Sequence, residues 1–303
     1  MIYIADENDI AKRLDQLLTV VLEGVSRSKI QAQIKAGNIT VNGKIQKASY
    51  LLKEEDKITI NEIVSEPLKI EAQDIPIEII YEDENMVVVN KPSGMLTHPA
   101  TGETENTLVN ALLYKYGENL SDINGEFRRG IVHRLDRNTS GMLMIAKNNQ
   151  THEFLANQIK EHKIEKKYRA IVKGIIEKDE FLIDLPVGRN PKQPHKMMVR
   201  EDGKESRTIV KVIKRFKEAT AVELTLITGR THQIRVHMSN CGHPVYNDTL
   251  YGAGKGKVLT EEQVLQSFSL HFTKPFSDEI ISLEIPPDEK YLKVYNYFEG
   301  REK

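Results

Sequence analysis

The 303-residue chain carries 43 Lys or Arg and 44 Asp or Glu, which gives a formal net charge of −1 near pH 7. This balance argues against a nonspecific nucleic-acid binder, because such proteins usually carry a clear basic excess. The hydrophobic fraction of 39% is ordinary for a globular protein, and the length fits one large domain plus one small domain. The single cysteine, Cys241, excludes an intrachain disulfide and a zinc site built from cysteines.

The sequence contains no signal for a membrane or for export. No apolar run approaches the ~18–20 residues of a membrane-spanning helix. The first residues also lack a basic region followed by an apolar core, so we expect no signal peptide, no membrane partner and a cytoplasmic location.

Near the N-terminus, apolar residues at helical spacing predict a first helix. They are Leu14, Leu17, Leu18, Val21 and Leu22. Asn8 or Asp9 could cap its start, since both side chains accept hydrogen bonds from free backbone N–H groups. A second helix is expected to start after Ser26, to bury Ile30 and Ile34, and to end at Gly37.

A hairpin is predicted next, because Asn42-Gly43 is a strong signal for a two-residue turn. Its strands would be residues 39–41 and 44–45, and residues 57–60 would form a closing strand. The segment from Ser65 to Pro76 mixes charges with two prolines and is typical of a linker. We therefore divide the chain into a small module at 1–64, a linker at 65–75 and a large domain at 76–303.

The small module has a basic stretch between Gly24 and Lys53, which contains six Lys or Arg and no acid. A solvated basic face is the commoner outcome for such a stretch, but the complete absence of acids favours a surface that faces phosphates. The order of helices and hairpin resembles the RNA-binding module first seen in ribosomal protein S-four, although a generic small α+β domain remains an alternative. The resemblance implies phosphate contacts for Arg27, Lys29, Lys35, Lys44 and Lys47.

In the large domain, strand-like alternation dominates over a repeated strand-helix-strand rhythm. Strands are predicted at 86–89, 131–132, 142–146, 168–172 and 222–226, and helices around 155–162 and at 231–241. We therefore predict an α+β fold with a mixed, mostly antiparallel sheet and packed helices, rather than a doubly wound parallel sheet.

The most informative segment of the large domain is 131–141, where Asp136 lies in a polar turn close to His133, Arg134 and Arg137. A turn aspartate that bonds its own loop is the commoner case, but three basic neighbours exceed what a turn requires. A carboxylate that reacts must stay ionised while it is shielded from water, and a neighbouring arginine favours that charged form.

Two further segments could complete a site around Asp136. Segment 229–237 holds Arg230 and Arg235, and on the predicted helix Arg235 should point away from the buried side, into a cleft. Segment 166–170 places Tyr168 within a cluster of net charge +4, which favours contact with RNA over packing alone. His232 and His237 are five residues apart, which is not the spacing of a helical metal pair, so we expect no metal.

Together these segments resemble the RluA family of RNA pseudouridine synthases, and most closely its RluD-type branch for large-subunit ribosomal RNA. The resemblance covers almost the whole chain and implies the pseudouridine synthase fold and catalytic roles for Asp136, Tyr168 and Arg235. It also implies RNA contacts by Arg134, Lys167 and Arg230 and a reaction without a cofactor. The sequence does not indicate the oligomeric state, for which a monomer is the default expectation. Asn138 and Asn247 depart from the family pattern, but Asn tolerates the left-handed conformation that the second turn needs.

The implied reaction is isomerisation of uridine in RNA to pseudouridine, in which Asp136 either attacks the sugar or removes a proton beside the attacked carbon. The modified uridines and the choice between ribosomal and transfer RNA stay open. Two other classes are weaker alternatives: an RNA-binding or ribosome-assembly factor without catalysis, and a metal-free hydrolase that uses Asp136 with His133. The first should have lost a site residue, and the second needs an oxyanion site that the sequence does not show.

Overall fold

The computed structural model describes residues 1–303 except 23, 24, 26, 62–69, 101, 253, 255, 259, 261, 302 and 303. The chain divides into two compact units, Met1–Lys69 and Ile70–Lys303. Across the described residues, no helix has the length and apolar character needed to cross a membrane.

The small unit packs two helices on a three-stranded antiparallel sheet. Its elements are β1 (Ile2–Ile4), α1 (Leu14–Val21), α2 (Arg27–Lys35), β2 (Ile39–Val41) and β3 (Lys57–Ile60). The strand order is β1-β3-β2. Leu14 and Leu18 of α1 and Ile30 and Ile34 of α2 are buried against the sheet, so both predicted helices are confirmed.

Two local predictions for the small unit are wrong. The expected caps of α1, Asn8 and Asp9, lie instead on a separate 3-10 turn, where buried Asp9 accepts a hydrogen bond of 2.7 Å from the Tyr3 hydroxyl. The cap position of α1 is Arg13, whose guanidinium has no acceptor atom for a backbone N–H and instead donates to Asp15.

The Asn42-Gly43 turn forms, with both residues at positive φ, but it does not lead into a second strand at 44–45. Only an isolated bridge joins Val41 to Lys44. Strand β2 pairs with β3 instead, because β3 offers Ile58 and Ile60 to the core while Ile45 is exposed.

The large unit is built around one nine-stranded sheet. The strands of the large unit are β4 (Glu78–Glu82), β5 (Met86–Lys91), β6 (Ser140–Ala146), β7 (Glu165–Lys173), β8 (Glu180–Asp184), β9 (Val187–Arg189), β10 (Met197–Val199), β11 (Arg207–Arg215), β12 (Ala219–Leu226), β13 (Leu265–Thr273) and β14 (Ile280–Glu284). Its helices are α3 (Leu108–Tyr116), α4 (Asn149–Lys160), α5 (Gln233–Asn240) and α6 (Glu289–Glu299). Strands β9 and β10 form a separate hairpin.

The sheet order is β4-β5-β6-β13-β7-β12-β11-β8, and β14 pairs with β13. Neighbouring strands are antiparallel except β6 and β13, which confirms the predicted mixed, mostly antiparallel sheet. One apolar cluster that includes Leu143, Tyr168 and Leu224 fills one side of the sheet, and a second that includes Met142, Met144 and Phe272 fills the other.

The parallel pair β6–β13 depends on a residue without a side chain at its start. Gly141 adopts a φ of +115°, and a Cβ there would lie 2.0 Å from the Ser267 carbonyl oxygen. Any other residue would push the two central strands apart. Because Gly141 ends the Asp136 segment, this close approach also fixes where that segment enters the sheet.

Three element boundaries in the large unit differ from prediction. Ile131 makes only an isolated bridge to Ile145, so Asp136 follows a loop rather than a strand. Helix α4 ends at Lys160, before His162, which has a φ of 56°. Helix α5 begins at Gln233 because His232 is left-handed, although Ile234 and Met238 are buried as predicted.

Part of the predicted linker, 65–69, lies outside the described residues. The remainder, 70–75, contacts the large unit: the Gln73 N–H donates to the Asn110 carbonyl at 3.0 Å. The Asn110 amide in turn donates to the Glu71 carbonyl at 2.8 Å. The boundaries 1–64 and 76–303 remain a prediction.

The buried carboxylate of Asp15 joins the two helices of the small unit. It accepts hydrogen bonds from Arg13 at 3.0 Å, from Arg27 at 3.0 Å and from Gln31 at 2.6 Å. The Arg13 bond, with those from Gln31 and Arg27, outweighs burial and holds the pKa of Asp15 well below its usual range. A carboxylate with a lowered pKa stabilises the fold above its unfolded pKa of about 4, and this contribution is lost as the pH falls.

We therefore expect Asp15→Asn to destabilise the small unit by about 2 kcal/mol near pH 7, because two arginines lose a charged partner. The difference from wild type should shrink as the pH drops below about 4, where the wild-type carboxylate begins to lose its charge-dependent contribution. Hydrogen–deuterium exchange of the α1 amides in the full chain measures this effect. Glu54→Gln, in an exposed turn, is the matched control, and unchanged exchange in Asp15→Asn would contradict the assignment.

Candidate active site

Asp136 lies in the loop that enters β6, with its side chain 17% exposed. The backbone around it is anchored from a second loop. The Thr97 hydroxyl donates to the Leu135 carbonyl at 3.0 Å, and the Gly94 N–H donates to the Arg137 carbonyl at 2.9 Å. The carboxylate therefore faces the cleft from a backbone that is fixed on both sides.

Lys91, at the end of β5, reinforces this anchoring from the interior. Its side chain is fully buried, and Nζ donates to the carbonyls of Pro92, Met95 and Arg137 at 2.8 to 3.0 Å. Burial lowers the pKa of Lys91 to about 7, although only the ammonium form can donate three hydrogen bonds. The sequence showed Lys91 only as part of a weak motif and gave no sign of this role.

Arg235 of α5 joins two carboxylates. Its Nη1 donates to Asp136 Oδ2 at 3.1 Å, while Nε and Nη2 donate to the two oxygens of Asp248 at 2.7 and 3.0 Å. Burial disfavours the guanidinium charge, but the hydrogen bonds and charges of Asp248 and Asp136 outweigh it and raise the pKa of Arg235. The arginine is thus a permanent cation that holds Asp136 in one orientation.

Asp248 is the partner that sequence reasoning missed. Its side chain is completely buried and also accepts the N–H groups of Leu250 and Tyr251, both at 3.1 Å. The Tyr251 ring lies 5.0 Å from the Arg235 guanidinium, close enough for a cation–π contact. Asp248 comes thirteen residues after Arg235, through a turn, so no helical spacing could have linked them.

That turn depends on Asn247, which was expected to adopt the left-handed conformation and does so, with a φ of 60°. Its amide donates to the Val258 carbonyl at 2.9 Å, and its Oδ1 accepts the Gly256 N–H at 2.6 Å. The departure from the family pattern is therefore accommodated by hydrogen bonds that glycine could not make.

His232 faces the other oxygen of Asp136. Its Nε2 lies 3.8 Å from Asp136 Oδ1, and its Nδ1 lies 2.7 Å from the Tyr251 hydroxyl, which also accepts the Met197 N–H at 2.8 Å. Burial lowers the pKa of His232, so the ring is neutral near pH 7. Arg235 is therefore the charged group that orients Asp136, and His232 is a neutral neighbour.

Asp136, Tyr168 and Arg235, the three predicted catalytic residues, line one cleft of about 460 Å³. Tyr168 is 5% exposed, and burial raises the pKa of its hydroxyl above the usual range. Asp136 is the only acidic residue among the described residues that line the cleft, whereas the basic ones are Arg134, Lys160, Lys166, Arg230 and Arg235. Among the described residues, no group of three or more His, Cys, Asp or Glu could hold a metal ion.

The structure places the predicted RNA-binding residues unevenly. Arg134 and Arg230 are exposed at the cleft, although Arg230 Nε also donates to the Glu205 carbonyl at 3.0 Å. Lys167 does not line the cleft and lies 3.5 Å from Glu165 and 3.6 Å from Glu223.

On the small unit, Lys35, Lys44 and Lys47 are exposed and Lys29 is half-buried. Arg27 is partly exposed but pairs with Asp15 at 2.9 Å, so part of its charge serves the fold.

A cleft with one carboxylate, an arginine that orients it, a buried tyrosine and an otherwise basic lining is suited to a polyanionic ligand. Residues 85–240 match the family model of RNA pseudouridylate synthases, and residues 12–58 match the S4 domain. The chain therefore belongs to the RNA pseudouridine synthase family, whose members are isomerases, and its substrate is RNA.

Relatives and a solved structure agree with this family. The chain is 42% identical to an uncharacterized RNA pseudouridine synthase of Aquifex aeolicus, over 95% of this chain and 94% of that protein. It is 38% identical to ribosomal large subunit pseudouridine synthase D of Zymomonas mobilis, over 94% of each chain. The structure of human RNA pseudouridylate synthase domain containing 1 matches with a TM-score of 0.58 and 28% identity, over 73% of this chain and 86% of that one.

Asp248→Asn should slow pseudouridine formation without weakening RNA binding, because Arg235 loses the charged partner that fixes its orientation. A loss of about 2 kcal/mol in that orientation corresponds to about a 30-fold lower rate. The measurement is the single-turnover rate at saturating enzyme, with RNA affinity measured in parallel. Asp184→Asn, exposed on β8, is the control. A wild-type rate in a folded Asp248→Asn would remove Asp248 from the site.

Proposed function

We propose that this enzyme converts specific uridines of large-subunit ribosomal RNA to pseudouridine, with Asp136 as the reacting group. The observation that supports this most strongly is the chain of contacts Asp136–Arg235–Asp248 at the cleft that also contains Tyr168. The name of the Zymomonas mobilis relative supports the choice of ribosomal RNA. The match to the S4 domain supports an RNA contact by the small unit.

The reaction breaks the bond between the base nitrogen and the ribose, turns the base, and joins its carbon 5 to the same sugar carbon. No atom is gained or lost overall, so the reaction requires no cofactor. Asp136 either attacks the sugar carbon or removes a proton from the carbon beside it. Both routes need an ionised carboxylate with one accessible oxygen. Arg235 binds Oδ2, and the nearest ionisable neighbour of Oδ1 is the neutral ring of His232 at 3.8 Å.

Tyr168 is proposed to pack against the target base. Stacking of one base on an aromatic ring contributes about 1–3 kcal/mol and works for any base. A second role for Tyr168, in which its hydroxyl removes the final proton from carbon 5 of the base, is less favourable. Burial raises the pKa of this hydroxyl and keeps it protonated. The protonated Tyr168 hydroxyl can accept the proton from carbon 5 only if it donates its own proton to another group.

The uridine must leave its stack to reach Asp136, which costs a few kcal/mol. Arg134, exposed at the cleft two residues before Asp136, is proposed to fill the vacated space. The proposed phosphate contacts are Arg27, Lys29, Lys35, Lys44, Lys47, Lys167 and Arg230. RNA affinity should therefore fall as the salt concentration rises. We further infer that the enzyme acts as a monomer in the cytoplasm.

Asp136→Asn tests the central role directly. Asparagine keeps the size and one hydrogen bond to Arg235 but cannot act as a nucleophile or base, so we expect the single-turnover rate to fall by more than about 1,000-fold. RNA affinity should stay within about 3-fold of wild type, because binding rests on phosphate contacts. An equal loss of binding and turnover would show that Asp136 has a structural role instead.

The substrate is tested by mapping pseudouridine in cellular RNA with carbodiimide labelling and primer extension, with and without the gene. The expected result is loss of a few sites in large-subunit ribosomal RNA, restored by wild type but not by Asp136→Asn. Loss confined to transfer RNA would replace the proposed substrate. An unchanged map in both RNAs would favour an RNA-binding factor without catalysis.

A further inference from the structure

Lys166 is a buried lysine that faces the cleft, and none of the residues that the structure describes pairs with its charge. It lies on β7, two residues before Tyr168, so both side chains project from the same face of the strand. The residue is 6% exposed and lines the cleft. Within the described part of the chain, Nζ makes neither a hydrogen bond nor an ion pair.

Other buried or neighbouring lysines of the large unit are satisfied. Lys91 donates to three carbonyls, and Lys290 donates to the Ser93 hydroxyl and the Asn138 carbonyl. Lys167, the next residue along β7, lies beside two glutamates. An ammonium taken out of water without a partner is costly, so a fold retains one only where something else compensates it.

The position of the Lys166 Nζ atom indicates what kind of group balances its positive charge. Gly229, which is exposed, lies so close that an added Cβ would be 3.7 Å from Nζ. The ammonium therefore lies beside an exposed loop residue that lines the same cleft and places no side chain against it. Burial lowers the pKa of Lys166 to about 8, so the ammonium is still the main form near neutral pH.

We propose that Lys166 binds a phosphate group that flanks the flipped uridine. This inference rests on the proposed function. Asp136 must contact the ribose, and the phosphates on either side of that ribose then lie close to the basic lining of the same cleft, which includes Arg134, Lys166 and Arg230. A compact ammonium with three donors suits a phosphate oxygen, and Lys166 is a substrate-binding residue in this arrangement.

The first test compares Lys166→Met, which keeps the aliphatic stem, with wild type. The probe is an in vitro transcript of unmodified large-subunit ribosomal RNA, trimmed to the shortest segment that wild type converts. We expect the Kd to rise at least about 5-fold and the slope of log Kd against log salt to fall by about 0.7 to 0.9, as for one lost phosphate contact. The single-turnover rate at saturating enzyme should stay within about 3-fold, because Asp136, Tyr168 and Arg235 are untouched.

Lys211→Met is the matched control, because Lys211 is exposed on β11 and does not line the cleft. It should leave the Kd, the salt slope and the rate unchanged. The melting temperature of Lys166→Met should equal or exceed that of wild type, because an unpaired buried charge has been removed. Gly229→Leu provides a second variant that keeps the charge but covers Nζ, and it should weaken binding in the same way.

The flanking phosphate is identified with synthetic segments that carry a single neutral methylphosphonate on either side of the target uridine. One of the two methylphosphonate segments should bind the wild-type enzyme more weakly than the native segment does. Lys166→Met should bind that methylphosphonate segment and the native segment with equal affinity. Wild-type Kd and salt slope in Lys166→Met would overturn the inference. A normal Kd with a slower saturating rate would also overturn it, since the ammonium would then act on the base. Failure of the proposed function is distinct, because wild type would form no pseudouridine in ribosomal RNA.

Discussion

The site depends on one guanidinium that is shared by two carboxylates. Asp248 is fully buried and holds Arg235 through two hydrogen bonds, and the third bond of Arg235 reaches Asp136. Because Asp248 also receives two backbone N–H groups, the arginine is fixed to the backbone rather than to a mobile side chain. A charged pair of this kind is costly to bury, so we infer that its value lies in orienting the carboxylate of Asp136 rather than in stability.

The loop that carries Asp136 is also held in place, through hydrogen bonds to its backbone. Lys91 uses all three N–H groups on carbonyls from two loops, and Thr97 bonds the residue before Asp136. Two buried basic residues, Lys91 and Arg235, therefore position one carboxylate, the first through the backbone and the second through the side chain. Lys166 differs from both, since its charge is directed into the cleft rather than into the fold.

The sequence predicted the parts of this site that lie in dense local motifs. Asp136, Tyr168 and Arg235 each lie in a short segment rich in polar residues. The residue identities in these segments are enough to show the resemblance to the family. Asp248, Lys91 and Lys166 were not predicted, because their roles arise from burial and from partners that only folding brings near. The wrong hairpin at 44–45 has the same origin: the turn was correct locally, but β3 offers β2 a better apolar partner.

The close approach of Gly141 to Ser267 has a consequence for the order of events during synthesis. The contact joins residues 126 positions apart, and Asp136 and Arg235 are 99 apart. A nascent chain that includes the Asp136 loop but not yet β13 lacks the strand that pairs with β6, the strand that this loop enters. Such long-range pairing closes late. The nascent polypeptide thus lacks the partner that β6 has on this side until β13 has been synthesised.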